Sequence, residues 1–168
     1  GLVLANGSLN VGGGEADIRQ KIVDADLIDC MVALPKGLFS TTTIPACLWF
    51  FSKNKSNNGY RKRTGETLFI DARSLSSPIS RSQNEFSKEH LEQIIGTYRS
   101  FVGEKGYPKY KNIAGYCKSA TIKDIVKFKY VLTPGMYVGA TEIDDEDDDD
   151  SSLFPQTDKA AYLSIFSF

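Results

Sequence analysis

Residues 27–51 read LIDCMVALPKGLFSTTTIPACLWFF, two apolar runs separated by a more polar loop. The first run, Leu27 to Leu34, and the second, Ile44 to Phe51, have the length and the aliphatic and aromatic content of buried strands. The nine residues between them, 35–43, are too few for a crossover helix, which needs about a dozen, so the two strands should pair antiparallel. Toward the N-terminus, Leu2-Val3-Leu4-Ala5 is a short apolar run ended by the turn dipeptide Asn6-Gly7. After the glycine turn at Gly12, Gly13 and Gly14, Glu15 and Asp17 complement the dipole of a helix. Its spacing puts Ile18, Ile22 and Ala25 on one apolar face. Strand, helix and strand in that order predict an α/β domain.

Toward the C-terminus, residues 52–67 (SKNKSNNGYRKRTGET) predict a flexible basic loop, and Leu68-Phe69-Ile70-Asp71 a brief fourth strand. Ser87 caps a helix running to Val102, with a stripe of Leu91, Ile94, Ile95, Tyr98 and Phe101. His90 falls off that stripe and is expected on the surface. Thr121 caps a short helix, with Asp124 in a capping-box position. Residues 132–139 (LTPGMYVG) read as a turn into an extended segment.

The formal charge of −1 conceals an asymmetry. Residues 142–150 (EIDDEDDDD) hold eight acids and no base, whereas residues 1–141 hold 19 bases against 12 acids, a balance of +7. A basic body suits a polyanion partner, and the acidic stretch reads as a disordered, solvated tail. As a calcium loop it fails, lacking the glycine at its sixth position and carrying Pro155 where a bidentate Glu is needed. No apolar run approaches the roughly 20 residues of a membrane span. Cys30, Cys47 and Cys117 are scattered and read as free thiols, which points to the cytoplasm. With one His and no Cys-x-x-Cys, no zinc site is expected, and a Ser-His-Asp triad would need the surface residue His90. The glycine turn has Asp17 where a dinucleotide loop needs its third glycine, and acids there would repel phosphate. No catalytic, cofactor-binding or metal residue is therefore assigned.

Two features remain as candidates. Lys53, Lys55, Arg61, Lys62 and Arg63 form either a solvated hairpin loop or a contact to a polyanion, which the resemblance described next would make a DNA backbone. Phe39, in the loop between the two apolar runs, is either a core anchor or a stacking residue.

Six words in order carry a resemblance: LANGSL, GGGEADIRQKIV, LIDCMVALPKGLF, TTTIPACLWFFSKNK, TLFIDAR and LTPGMYVG, the last just before an acidic stretch. Together they resemble the adenine DNA methyltransferase (modification) subunit of type I restriction–modification systems over residues 1 to about 145, with Ala5 for the usual Pro. The resemblance implies that residues 1–51 are the last three strands of a Rossmann-like sheet with an antiparallel final hairpin. Residues 1–75 would close the catalytic domain, 76–141 form a helical region and 142–168 a tail departing from the family's long helices. The buried-looking first strand would then have its neighbours in sequence preceding this chain; failing that, its edge could pair with a second copy. The implied activity is methyl transfer from S-adenosylmethionine to the exocyclic amine of adenine, with specificity and restriction subunits as partners. The cofactor loop and the Asn-Pro-Pro-Phe motif are absent from these residues, so the chain is expected to be a C-terminal fragment inactive alone. Phe39 matches the position where the family stacks an aromatic on the flipped adenine, and Asn6 would line the same cleft. The alternative is a non-catalytic DNA-binding or subunit-interaction module, the remnant of a degraded gene.

Overall fold

The computed structural model describes residues 1–39, 44–56, 59–80 and 83–139. The acidic stretch and the tail beyond it lie outside the described residues. In chain order the elements are β1 (Leu2–Ala5), a 3-10 turn (Asn6–Leu9), α1 (Gly14–Asp24), β2 (Ile28–Ala33), β3 (Ala46–Phe51), β4 (Glu66–Asp71), β5 (Ser77–Pro78), β6 (Asn84–Glu85), α2 (Lys88–Val102), β7 (Cys117–Thr121), α3 (Ile122–Lys127) and α4 (Pro134–Val138). Five strands form one mixed sheet in the order β1-β3-β2-β4-β7, and β5 and β6 make a small separate hairpin.

The expected antiparallel pairing of β2 with β3 is present, with Ala33 opposite Cys47 and Met31 opposite Trp49. β3 also lies antiparallel to β1, so it is inserted between two strands that run the opposite way. β4 pairs parallel to β2, and β7 closes the far side antiparallel to β4. Alternation along the inner strands divides the core into two layers. Met31, Cys47, Trp49 and Phe69 face a cluster with Val23 of α1, Ile125 of α3 and Tyr137 of α4. Cys30, Val32, Leu68 and Ile70 face another, with Phe101 and Val102 of α2. All three cysteines are free and buried.

Several sequence expectations are corrected. β1 is an edge strand whose residues are all exposed, not a buried one. The inward face of α1 is Arg19 and Val23, while Ile18 and Ala25 face outward and only Ile22 packs against the core. Arg19 can be buried because it donates to two main-chain carbonyls, those of Ser8 and Tyr130, both at 3.3 Å. On α2 the stripe is rotated: Gly96, Thr97, Ser100, Phe101 and Val102 are buried, and Leu91 and Ile95 are exposed. His90 is half-buried, because its Nδ1 accepts from the Ser87 main-chain N–H while the Ser87 hydroxyl accepts from the His90 N–H. Residues 117–121 supply a strand to the main sheet from a stretch expected to be helical. The LTPGMYVG word is helical, not extended: Pro134 takes the first-turn position it tolerates, and Tyr137 stacks on Phe69 at 3.8 Å.

The loop between β3 and β4 is not a flexible basic loop. Lys55 is buried, donating to Asp26 at 2.5 Å and to the Ile28 carbonyl at 2.8 Å. Arg63 is buried in a bidentate pair with Asp29, at 2.7 and 3.1 Å, and Tyr98 donates to the same carboxylate at 2.7 Å. Arg61 donates to both oxygens of Glu66 and to the Phe101 carbonyl. A charge taken out of water needs such partners, and here the partners pin the loop.

Candidate functional site

In α/β sheets, ligands gather outside the carboxyl ends of the parallel strands. β1, β2 and β4 all point the same way, as the register shows: Ala5 and Ala33 stand opposite Ala46 and Cys47 of β3, and Ala33 opposite Asp71 of β4. Their carboxyl ends therefore form one rim. It carries Asn6 after β1, residues 34–39 after β2, and Asp71 and Arg73 at the end of β4.

The rim is tied together through its main chain. The Asn6 N–H donates to the Pro45 carbonyl at 3.0 Å, which brings the end of β1 against the entry to β3. Asn6 Oδ1 is buried with no hydrogen-bond partner among the described residues. An unpaired buried acceptor costs about 1–3 kcal/mol, so a donor from a ligand would relieve it.

The loop leaving β2 is rigid on its first side. Pro35 is buried and Gly37 adopts φ +71°, a left-handed turn that favours glycine. Asn84 of β6 clasps that turn, its main-chain N–H donating to the Gly37 carbonyl at 2.9 Å and its Nδ2 to the Lys36 carbonyl at 2.8 Å. Leu38 packs into the α2-side core, whereas Phe39 joins neither core cluster and is 40% exposed. The anchor of this loop is Leu38, one residue before the aromatic that the sequence singles out. Between this loop and the β5–β6 hairpin lies a cavity of ≈ 380 Å³.

Two rim features were not singled out from the sequence. Arg73 reaches back to Asp71 with contacts of 2.8 and 2.5 Å, and the Asp71 N–H donates to the Tyr116 carbonyl. The available signal was a charged pair ending an apolar strand, in TLFIDAR. Lys36 is exposed beside Phe39, and nothing in its local pattern marked it.

The five basic candidates are not brought to this rim. Lys55, Arg61 and Arg63 are bonded around Asp26, Asp29 and Glu66, at or just before the amino ends of β2 and β4. A strand of six residues spans about 20 Å, so this group and Phe39 occupy opposite ends of the sheet. Lys53 and Lys62 are exposed at that far end. The Arg61 guanidinium holds the Glu66 carboxyl below its usual range, and burial, reinforced by Asp29, pushes the Tyr98 phenol above its own. Burial also raises the Cys117 thiol, to about 11, which keeps it protonated and poorly nucleophilic. Among the described residues no cluster of His, Cys, Asp and Glu is placed to hold a metal, and no helix is long and apolar enough to cross a membrane.

Comparison with known proteins fits this topology. The N-6 DNA Methylase family model matches residues 1–146. The chain is 43% identical over 146 residues to the type I restriction enzyme HindI methylase subunit of Haemophilus influenzae, covering 86% of this chain and 31% of that one. It is 44% identical, again over 146 residues, to the MjaIX methylase subunit of Methanocaldococcus jannaschii, covering 25% of it. Among solved structures, the type I restriction–modification methyltransferase subunit of Streptococcus thermophilus superposes with a TM-score of 0.67 at 28% identity, over 81% of this chain and 25% of that one. The chain thus spans about a quarter to a third of the length of these relatives. It belongs to the N-6 DNA methylase family, and these relatives are methylase subunits of type I restriction–modification systems.

Proposed function

We propose that this chain supplies the target-base side of an adenine methyltransferase cleft. In the whole subunit, a methyl group would pass from S-adenosylmethionine to the exocyclic amine of adenine in DNA, in a cytoplasmic assembly with specificity and restriction subunits. On this reading β1, β3 and β2 are the final strands of a Rossmann-like sheet, with the antiparallel strand inserted between two parallel ones. The open edge and exposed faces of β1 suit an inner strand of a wider sheet. The observation that carries the reading is Phe39, an exposed aromatic on a loop whose base is clasped by Asn84 and anchored by Leu38.

Methylation of a base amine requires the adenine out of the duplex, and an extruded base needs a face to stack on. Phe39 offers that face without displacing any core residue. Asn6, beside the Pro45 end of the same loop, would line the same cleft; its side-chain oxygen is buried with no hydrogen-bond partner among the described residues. The described residues do not fit the cofactor itself: the glycine turn opens α1 with Glu15 and Asp17, two acids that would repel the carboxylate of the cofactor's methionine part.

The test is Phe39→Ala in a full-length subunit assembled with its specificity subunit. Stacking worth roughly 1–3 kcal/mol predicts methylation lowered by about 5- to 150-fold. The affinity for S-adenosylmethionine, by calorimetry, should stay within about twofold, and Phe39→Trp should retain most activity. Equal loss of methylation and cofactor binding would show that Phe39 serves only the fold. Calorimetry on the present chain alone should show no micromolar binding of the cofactor; such binding would overturn its assignment to the base side.

A further inference from the structure

We propose that the cavity between the Phe39 loop and the β5–β6 hairpin holds the nucleobase next to the target adenine on the same DNA strand, an inference that rests on the reading of Phe39 as the stacking residue. The cavity has Leu38, Ile79 and Phe86 as its apolar walls and Gln83, Asn84 and Glu85 as its polar ones. Its ≈ 380 Å³ falls within the roughly 300–1,000 Å³ typical of small-molecule sites. Ile79, at 60% exposure, is among the most exposed large apolar side chains of the described residues, an uncovered face beside polar groups. A flat ring with a hydrogen-bonding edge matches this lining.

Position and charge narrow the ligand further. Leu38 lines the cavity and Phe39 follows it in sequence, so their Cα atoms are about 3.8 Å apart. Consecutive nucleotides are joined through a single phosphodiester, so the neighbour of an adenine extruded onto Phe39 lies one backbone link away, beside the cavity. The Glu85 carboxylate would repel a phosphate, which keeps the backbone outside and admits the base. It accepts from an exocyclic amine, as acidic side chains do from cytosine, and so favours an amino-bearing base. The walls are held in place independently of any ligand. Asn84 ties the hairpin to Lys36 and Gly37, and Ile79 and Ser80 donate main-chain bonds to the Gln83 carbonyl at 2.9 and 3.2 Å.

The experiment uses the full-length subunit with its specificity subunit, and DNA carrying an abasic residue on either side of the target adenine. Ile79 and Glu85 are exposed, so an Ile79→Ser/Glu85→Ala variant should keep its melting temperature. One of the two abasic substrates should raise the KM for DNA of the unmodified protein about tenfold, with kcat within about twofold. The variant should show the same rise on intact DNA and no further rise on that abasic substrate. Losses that multiply, or indifference of the unmodified protein to both lesions, would overturn the proposal while leaving the role of Phe39 standing. A Phe39→Ala protein with unchanged methylation and unchanged 2-aminopurine fluorescence at the target would remove the stacking reading, and this inference with it.

Discussion

The residues at 61–63 show how little a basic run says about where its charges go. Arg61, Lys62 and Arg63 are adjacent, yet only Lys62 has its charge out in solvent without a bonded carboxylate, while Arg63 is buried against Asp29 and Tyr98. Removing one partner of a buried ion pair leaves the other uncompensated, which costs about 3–5 kcal/mol. Arg63→Met should therefore lower stability by about that much in urea unfolding, and Asp29→Leu with Arg63→Met should recover most of it. If the single and double variants lose the same amount, the pair is not what holds the loop. The sequence did contain a signal. Asp29 stands inside the apolar run LIDCMVAL, where a lone carboxylate has to find a cation, and that cation lies 34 residues away. Spacing rules see neighbours at three or four residues and cannot supply such a partner. Phe39 and Leu38 teach the same lesson in miniature: both are large and apolar in one loop, and only packing decides which of them faces inward.

At the scale of elements, the order and kind of the early strands were legible because a nine-residue link between two apolar runs leaves only one pairing. Helix starts were legible for a local reason too. Thr121 and Asp124 satisfy each other's main-chain donors, at 3.3 and 2.9 Å, as did the pair that Ser87 makes with His90. Thr121→Ala should cost about 1 kcal/mol, with Thr121→Ser nearly silent. Thermal unfolding checks this, and equal effects of the two substitutions would mean that the hydroxyl cap contributes nothing. Helix faces were read less well. On α1 the inward residue is Arg19, whose burial depends on carbonyls of Ser8 and Tyr130 that periodicity does not see. On α2, small residues at Gly96, Thr97 and Ser100 let the helix lie close to the sheet, which rotates Leu91 and Ile95 outward. β7 was missed because CKSAT has no apolar alternation to mark it: as an edge strand it buries only Cys117 and Ala120.

For the whole molecule, the basic residues at the two ends of the sheet are placed differently. At the amino ends, Lys55, Arg61 and Arg63 neutralise Asp26, Glu66 and Asp29, and their charges are spent within the fold. At the carboxyl ends, Lys36 stands exposed on the loop that presents Phe39, and on the proposed reading it would meet the phosphates of a strand whose base is extruded there. A charge that meets a phosphate releases counterions, and each such contact contributes close to one unit to the slope of log affinity against log salt. In the full-length subunit assembled with its specificity subunit, Lys36→Ala should lower that slope by about 1 and weaken binding to all DNA sequences alike. Lys53→Ala and Lys62→Ala, about 20 Å away along the strands, should leave the slope unchanged if the duplex engages only the carboxyl-end rim. Titrations at several salt concentrations separate the cases. A slope that falls for Lys53 and Lys62 but not for Lys36 would place the DNA backbone at the opposite end of the sheet, and Phe39 could then not be the residue on which the adenine stacks.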